Sequence, residues 1–331
     1  MTSPADIAAD PAWLPHRIDS ATRQVEFLRL ERDVLAADGF LADRDPGSRG
    51  RALASWSDVQ AMRIPEGRLH FVFHTAFCRS TLLIRALDLP GKVVGLNEPG
   101  IVASMVNAGP AAAALHAPLL ALLARPHRPG EVVVVKPTNH ANALMPALLA
   151  ARPDARAILM THPLPSFLAS VARKGLMGRN WARRLFLEMQ GYAGMDFGMS
   201  PQESFALTDM QAAALAWFLA QRWFDAHLRG GVRGVAGKRL RVLYGDRFAA
   251  TREETLAAAT NFFGVADPQG AAAAMARSSV FTRHAKSGTA YSGDAPSKDP
   301  MLAEEIAQVG QWLALIAQQA GVPIPVEQTL L

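Results

Sequence analysis

Cysteine is nearly absent from this sequence: among 331 residues, Cys78 is the only one. A single thiol excludes an intramolecular disulfide and a cysteine-rich metal site. The chain also lacks any dense run of lysine and arginine with interleaved aromatic residues, which make up only 7% of the sequence. Its net charge of +5 is therefore compatible with an anionic ligand but does not require nucleic acid, and no nucleic-acid partner is expected.

Long uninterrupted apolar runs are missing as well. The one long uncharged stretch, residues 101–124, is mostly alanine and is broken by polar residues and by Pro110 and Pro118. It is therefore expected to lie in a soluble core and not in a membrane. The N-terminus, MTSPADIAAD, lacks the basic start and apolar centre of a signal peptide. The resulting expectation is a soluble cytoplasmic protein.

The sequence does contain apolar, strand-like runs that alternate with helix-like segments. Half of the residues are hydrophobic and 19% are charged, so the chain should fold. The alternation predicts an α/β fold, in which helices cover both faces of a parallel sheet and ligands bind at the carboxyl ends of the strands. Residues 1–67 are predicted to be an N-terminal extension with one or two helices, and residues 68–331 the α/β domain. The predicted strands are 69–73, 91–96, 132–135, 157–160 and 240–244.

The stretch 69–87, LHFVFHTAFCRSTLLIRAL, has the features of an anion site. An apolar run suits a strand, a compact loop follows, and Ser80-Thr81 opens a segment that suits a helix. Unpaired N–H groups at a helix start can bind an anion. The stretch lacks the glycines and the lysine of the GxxxxGK[ST] pattern, and a core strand entering a core helix capped by Ser80 explains it equally well. The residues of this candidate anion loop are Thr75, Ala76, Phe77, Cys78, Arg79, Ser80 and Thr81.

Two basic residues stand beside predicted strands. Lys136 ends a buried strand, where an unpaired charge would be costly, so it is expected to face a cleft or a carboxylate partner. Arg79 could supply the charge that a P-loop lysine supplies, by bidentate contact with phosphate or sulfate oxygens, or it could be a solvated surface arginine. Cys78 is interpreted as structural, as lone buried cysteines usually are.

The order of these landmarks resembles the sulfotransferase superfamily over residues 69–265. The strand-loop-helix ending Ser80-Thr81-Leu82-Leu83 is similar to the family's 5′-phosphosulfate loop. VKPTNHANALMPALLAARPDARAILMTHP resembles its segment with a strand-end lysine, a helix, a Pro-Asp-Ala turn and an Arg-x-Pro strand end. LRVLYGDRFAATREETLAAATNFFGV resembles its Tyr-Glu-Asp-Leu strand end and the helix that closes in Phe-Leu-Gly. The resemblance implies a P-loop-like parallel β-sheet flanked by helices on both faces.

The resemblance also implies an activity. In the family a sulfuryl group passes from the nucleotide donor PAPS to a hydroxyl or amine, here of a small-molecule or carbohydrate acceptor, and no metal is needed. Glu98 is then the general base, or else a carboxylate at a helix start. Lys136 helps to neutralise the transferring group. His140 is a second candidate base, or else it orients its loop.

On the nucleotide side, the resemblance places His162 and Ser170 in a 3′-phosphate site. It also places Arg283, His284 and Lys286 in a basic loop that folds over the nucleotide, although a solvated loop is an equal alternative. The predicted donor site for PAPS or its product PAP consists of the anion loop together with His162, Ser170, Arg283 and Lys286.

The sequence also departs from the family pattern. The family's basic loop residue falls on Phe77 and its glycine on Arg79, and its 3′-phosphate arginine falls on Thr161 or, in a second alignment, on His162. Two other functions therefore remain open. One is an ATP-dependent phosphotransferase with an aberrant loop, in which Asp246 could hold a metal. The other is a non-catalytic nucleotide- or partner-binding protein that kept the fold.

Overall fold

The computed structural model describes residues 2–47, 50–230, 237–282 and 299–331. Its N-terminal extension holds three short helices and an antiparallel sheet whose three strands are neighbours in chain order. Helices were expected here, but the sheet was not, because its strands are short and carry charged residues among the apolar ones. The elements are α1 (Pro4–Ala9), β1 (Trp13–Asp19), β2 (Gln24–Arg29), α2 (Arg32–Ala36), a 3₁₀ turn (Leu41–Asp43), β3 (Arg51–Ser55) and α3 (Trp56–Ala61).

A five-stranded parallel sheet forms the centre of the protein. Its strands are β4 (Arg68–His74), β5 (Val93–Asn97), β6 (Val132–Lys136), β7 (Ala157–Thr161) and β8 (Leu240–Tyr244). In space they are ordered β5-β6-β4-β7-β8, so β4, which leads into the anion loop, is the central strand. Every predicted strand is confirmed, with ends within two residues of those expected.

Helices connect these strands and cover the sheet. The basic segment 173–184 was not predicted as a helix, because two glycines interrupt it, yet it forms most of α9. The helices are α4 (Ser80–Leu87), α5 (Gly100–Ala108), α6 (His116–Leu123), α7 (Met145–Ala151), α8 (Leu164–Arg173), α9 (Gly175–Gln190), α10 (Pro201–Ala206), α11 (Asp209–Leu228), α12 (Gly245–Ala250), α13 (Arg252–Phe262), α14 (Pro268–Ala276) and α15 (Pro300–Gln319), with 3₁₀ turns at Gly109–Leu115, Asn139–Leu144, Gly237–Arg239 and Ser279–Thr282.

Both faces of the parallel sheet are buried, which explains why its strands are nearly continuous apolar runs. On one face Phe71 and Leu159 belong to a core that also contains side chains of α5, α6, α7 and the N-terminal extension. On the other face Val72 and Ile158 pack with α4, α13 and α14. Helices α8, α9, α11 and α15 form a further layer with an apolar core of their own. The predicted α/β fold with helices on both faces is confirmed.

One helical stretch among the described residues, Gly100–Leu123, is long and apolar enough to span a membrane by length and composition alone. The 3₁₀ turn at Gly109–Leu115 divides it into α5 and α6. Met105 and Leu120 of these two helices are fully buried in the core that covers the sheet. The buried residues of the stretch thus belong to the core that covers one face of the sheet.

Candidate functional site

The loop 75–79 joins the central strand to α4 through an unusual backbone. Ala76, Phe77 and Arg79 have φ angles of 66°, 51° and 65°, in the left-handed region that glycine adopts most readily. Arg79 is the N-cap of α4, and its side chain makes no capping hydrogen bond. Cys78, between Phe77 and Arg79, is not left-handed, and α4 begins directly after the loop with N–H groups that have no partner within the helix. The loop therefore enters α4 through three backbone positions that glycine would favour, although it contains no glycine.

The loop backbone should be strained, and Ala76→Gly tests this. Glycine adopts a positive φ without the steric cost that alanine has, so we expect the free energy of unfolding in urea to rise by about 1 kcal/mol. Ala150→Gly is the matched control, because Ala150 is exposed and lies within α7. There the same substitution should lower stability by about 1 kcal/mol. A loss of stability in both variants would show that the loop is unstrained.

Phe77 points into the helical layer. Its ring centroid lies 5.0 Å from that of Trp181 on α9 and 6.0 Å from that of Phe167 on α8. Aromatic pairs at these distances attract each other beyond their simple burial. Phe77 was predicted among the donor-binding residues; its side chain is used for packing, which leaves its backbone for a ligand.

The backbone of Cys78 in the loop packs closely against the backbone of Gly245. Cys78 is fully buried, and burial raises the pKa of its thiol, with hydrogen bonding to Ser80 and the charge of Lys136 opposing the shift. The thiol is therefore protonated at neutral pH and is no nucleophile. A Cβ atom at Gly245 would overlap the Cys78 carbonyl oxygen and lie 3.3 Å from His162 Nε2. Gly245 thus brings the end of β8, His162 and the anion loop together.

Thr75 anchors the start of the loop. Its N–H donates to the Met160 carbonyl (3.0 Å), and its hydroxyl lies 3.2 Å from that of Thr161. Thr161 in turn accepts a hydrogen bond of 2.8 Å from the Gln221 amide. Ser80 and Thr81 are buried at the start of α4. Thr75 is therefore held by β7 and α11, which fixes where the loop leaves the sheet.

Arg79 is the basic residue of the loop. Its side chain forms no ion pair with any residue that the structure describes, and its buried Nε has no hydrogen-bond partner among them. A buried guanidinium nitrogen without a partner is unfavourable unless a ligand supplies one. The Nε atoms of four other arginines are buried without a partner too, but those side chains bind oxygens through their other nitrogens. Arg79 has no such contact among the described residues, and it lies at the start of α4.

Glu98 and Lys136 form an ion pair at the ends of the neighbouring strands β5 and β6. The Lys136 side chain is only 1% exposed and that of Glu98 is 19% exposed. Glu98 has a φ of 52°, and its N–H donates to the Lys136 carbonyl at 2.7 Å. Lys136 thus has a carboxylate partner, as expected for a charge at the end of a buried strand, and this partner is Glu98, the candidate general base.

His74 was not singled out from the sequence, yet it links the loop to this ion pair. Its Nδ1 accepts a hydrogen bond from the Ala76 N–H (3.0 Å), so the ring proton lies on Nε2, which donates to the Pro137 carbonyl at 3.0 Å. The Asn142 amide donates to the His74 carbonyl at 2.9 Å. The sequence feature that could have identified His74 is its position as a polar residue at the end of an apolar strand, directly before the loop.

His140 forms a second titratable pair. Its Nδ1 lies 2.6 Å from a carboxylate oxygen of Glu188 on α9, and its Nε2 lies 3.3 Å from Asn107 Oδ1. The hydrogen bond to Glu188 raises the pKa of His140. Asn107 lies near the far end of α5, roughly 10 Å along that helix from the Glu98 end. The structure thus pairs His140 with Glu188 and does not join it to Glu98.

The predicted 3′-phosphate residues lie on the other side of the loop. The Ser170 hydroxyl donates to the Ser166 carbonyl (2.9 Å) and accepts a hydrogen bond of 2.9 Å from Arg173. The His162 carbonyl accepts a hydrogen bond from Trp217 at 2.9 Å. Arg173 was not predicted, because the family pattern has its arginine before the helix and not at its end. Residues Arg283, His284 and Lys286 lie outside the described residues.

A cavity lies between β8, α15 and the last residues of the chain. It has a volume of about 1320 Å³ and mainly apolar walls, including Trp217, Tyr244 and Leu313. The last residues of the chain cover the free edge of β8, where the Val242 N–H donates a hydrogen bond to the Gln328 carbonyl (3.1 Å). None of the loop residues lines this cavity, but Pro163 and Trp217 do, and both adjoin His162.

Comparison with known proteins adds no assignment. The chain matches no model of a protein family, and no curated protein matches it. The fold and the site geometry described above are therefore the observations from which a function can be argued.

Proposed function

We propose that the protein is a sulfotransferase-like enzyme that transfers a sulfuryl group from PAPS to a hydroxyl or amine of a small-molecule or carbohydrate acceptor. The observation that carries the proposal is the geometry of loop 75–79. Three left-handed residues end at an uncapped helix start, where Arg79 has no partner among the described residues. A nucleotide donor and a single buried thiol both suit a cytoplasmic location.

The chain's own groups fit the anionic donor. The N–H groups at the start of α4 and the Arg79 guanidinium would hold the 5′-phosphosulfate, as helix starts and arginines hold phosphates in general. Lys136 ends β6, which pairs with β4, the strand that leads into the loop. Ser170, with Arg173 donating to it, and His162, beside the loop at Gly245, would hold the 3′-phosphate.

The ion pair of Glu98 and Lys136 suits the transfer step. The acceptor oxygen or nitrogen forms a bond to sulfur while the bond from sulfur to the phosphate oxygen breaks, and the acceptor proton passes to the Glu98 carboxylate. Protonation removes the negative partner of Lys136. Its ammonium then stabilises the charge that develops on the leaving phosphate. Glu98 is the preferred base because, unlike His140, it contacts Lys136 directly.

Calorimetric titration with PAP tests the donor assignment. The unmodified protein should bind PAP, and Arg79→Ala should weaken binding at least about tenfold, since hydrogen bonds to charged groups contribute that much. Alanine keeps a Cβ atom at this positive φ, so the backbone strain is retained. Arg184→Ala is the matched control, because Arg184 is exposed on α9, and it should bind PAP normally. No heat with millimolar PAP, or equal losses in both variants, would contradict the assignment.

Two outcomes would favour the rival functions. Binding of ATP only in the presence of Mg²⁺, without binding of PAP, would indicate a phosphotransferase. The non-catalytic alternative is favoured by Phe77, whose side chain packs in the helical layer where the family carries a basic residue. That alternative predicts PAP binding with no transfer from PAPS to any acceptor, and a biological activity that Glu98→Gln leaves unchanged.

A further inference from the structure

The N-terminal extension reaches the candidate site through segment 38–42, which lies across the ends of β5 and β6. Its contacts run along the whole segment. Asp38 forms an ion pair with Arg85 of α4, the helix that follows the loop. The Gly39 carbonyl accepts a hydrogen bond from the Asn97 side chain at 2.8 Å. The Ala42 N–H donates to the Glu98 carbonyl at 3.0 Å.

Phe40 is the residue of this segment that meets the ion pair. Its ring centroid lies 5.5 Å from Lys136 Nζ, a distance at which an ammonium is attracted to an aromatic face. The attraction is greater for a desolvated cation, and Lys136 is 1% exposed. The carboxylate paired with this ammonium is that of Glu98 at the end of β5, and the loop with Cys78 follows β4, which pairs with the strand of Lys136.

We propose that Phe40 is a positioning residue of the site. Its ring holds the Lys136 ammonium between Glu98 and the anion loop and shields it from solvent. The N-terminal extension is then part of the machinery that binds the donor, although its sequence carries none of the motifs. The proposal rests on the proposed function for its effect on donor binding, but the contact itself can be tested independently.

A substitution of the neighbouring Leu41 distinguishes a positioning role of Phe40 from a role in packing alone. Leu41 is 3% exposed and belongs to the core beneath the sheet, whereas Phe40 is half-buried. Leu41→Ala should therefore loosen the segment without removing the ring from Lys136. Phe40→Leu removes the aromatic face and keeps apolar bulk. Phe40→Tyr keeps the face and should restore the behaviour of the unmodified protein.

Two measurements on the full chain test the proposal. In calorimetric titration with PAP, Phe40→Leu should weaken binding about fivefold, the loss expected for one cation–π contact, while Phe40→Tyr and Leu41→Ala should bind normally. In the second, acetic anhydride modifies the amines of the ligand-free protein, and mass spectrometry follows each of the six lysines. Lys136 should react faster in Phe40→Leu than in Phe40→Tyr, relative to the exposed Lys174.

The outcomes separate the two proposals. If the unmodified protein binds no PAP, the donor assignment fails, and the lysine reactivities alone decide the role of Phe40. If Lys136 reacts equally fast in Phe40→Leu and in the unmodified protein, the positioning role is wrong, whether or not the protein binds PAP. If Leu41→Ala raises the reactivity as much as Phe40→Leu, the effect is one of packing, and the proposal is overturned.

Discussion

Glu98→Gln should destabilise the folded protein by about 3 kcal/mol, far more than most polar substitutions do. Lys136 is 1% exposed, and the substitution removes the negative charge beside it. An ammonium held in a low-dielectric interior without its counter-charge is unfavourable, because the desolvation cost is no longer offset by attraction. The free energy of unfolding in urea at pH 7 measures the loss. Asp225→Asn is the control, since Asp225 pairs with the 60% exposed Arg229, and it should cost under about 1 kcal/mol.

A double substitution identifies the cause. Lys136→Met added to Glu98→Gln removes both charges and keeps an unbranched side chain in the buried position, so it should recover most of the lost stability. A double variant as unstable as the sum of the two single variants would show that the residues do not interact. These stability measurements also bear on any activity measurement. A loss of sulfuryl transfer in Glu98→Gln shows a role in the reaction only where the variant is shown to be folded.

Acidification from pH 6.5 to pH 4 should cost about 3 kcal/mol of stability through His70 alone. Desolvation by burial lowers the pKa of His70 to about 4. In the unfolded chain the pKa is near 6.5, so between these two values the unfolded state binds the additional proton. Stability is therefore fully present above pH 6.5 and is lost as the pH falls through 4. The contact that requires neutral His70 is the hydrogen bond that its Nδ1 accepts from the Arg156 backbone N–H at 3.0 Å.

The measurement is the difference in pH dependence between the unmodified protein and His70→Asn. Asparagine can offer an oxygen near the position of Nδ1 but does not titrate. Burial also lowers the pKa of His16, His116 and His127, and their contribution should be common to both proteins. Urea unfolding at pH 7 and pH 5 should show a clearly smaller loss in His70→Asn. Equal losses would show that His70 takes up its proton in the folded state as readily as in the unfolded chain.

The sheet could be predicted from sequence because burial on both faces leaves a local signature. The run Val132 to Val135 needs no knowledge of its neighbours to be recognised as a buried strand. The antiparallel sheet of the extension was missed because strands such as β2 mix buried apolar residues with partly buried or exposed polar ones. Patterns that depend on a half-buried surface are less distinctive over five or six residues.

The site was predictable only in part. Lys136 could be expected to need a carboxylate because it ends an apolar strand, and Glu98 proved to be that carboxylate. The pairing of His140 with Glu188 joins residues 48 positions apart across two elements, one of which, α9, was not predicted. Phe40 and His74 were missed for a related reason: each acquires its role from a contact with Lys136 or with the loop, and no local pattern encodes such contacts.

The glycine at position 245 has a consequence for how such loops are found. The anion loop contains no glycine, yet its backbone has the space that a glycine leaves, because the missing side chain belongs to a residue 167 positions after Cys78, on the adjoining end of β8. A search for a contiguous sequence motif would miss this arrangement, because the residues that meet the steric requirement lie in two distant parts of the chain. A loop can therefore depend on the absence of a side chain at a residue that lies outside its own sequence.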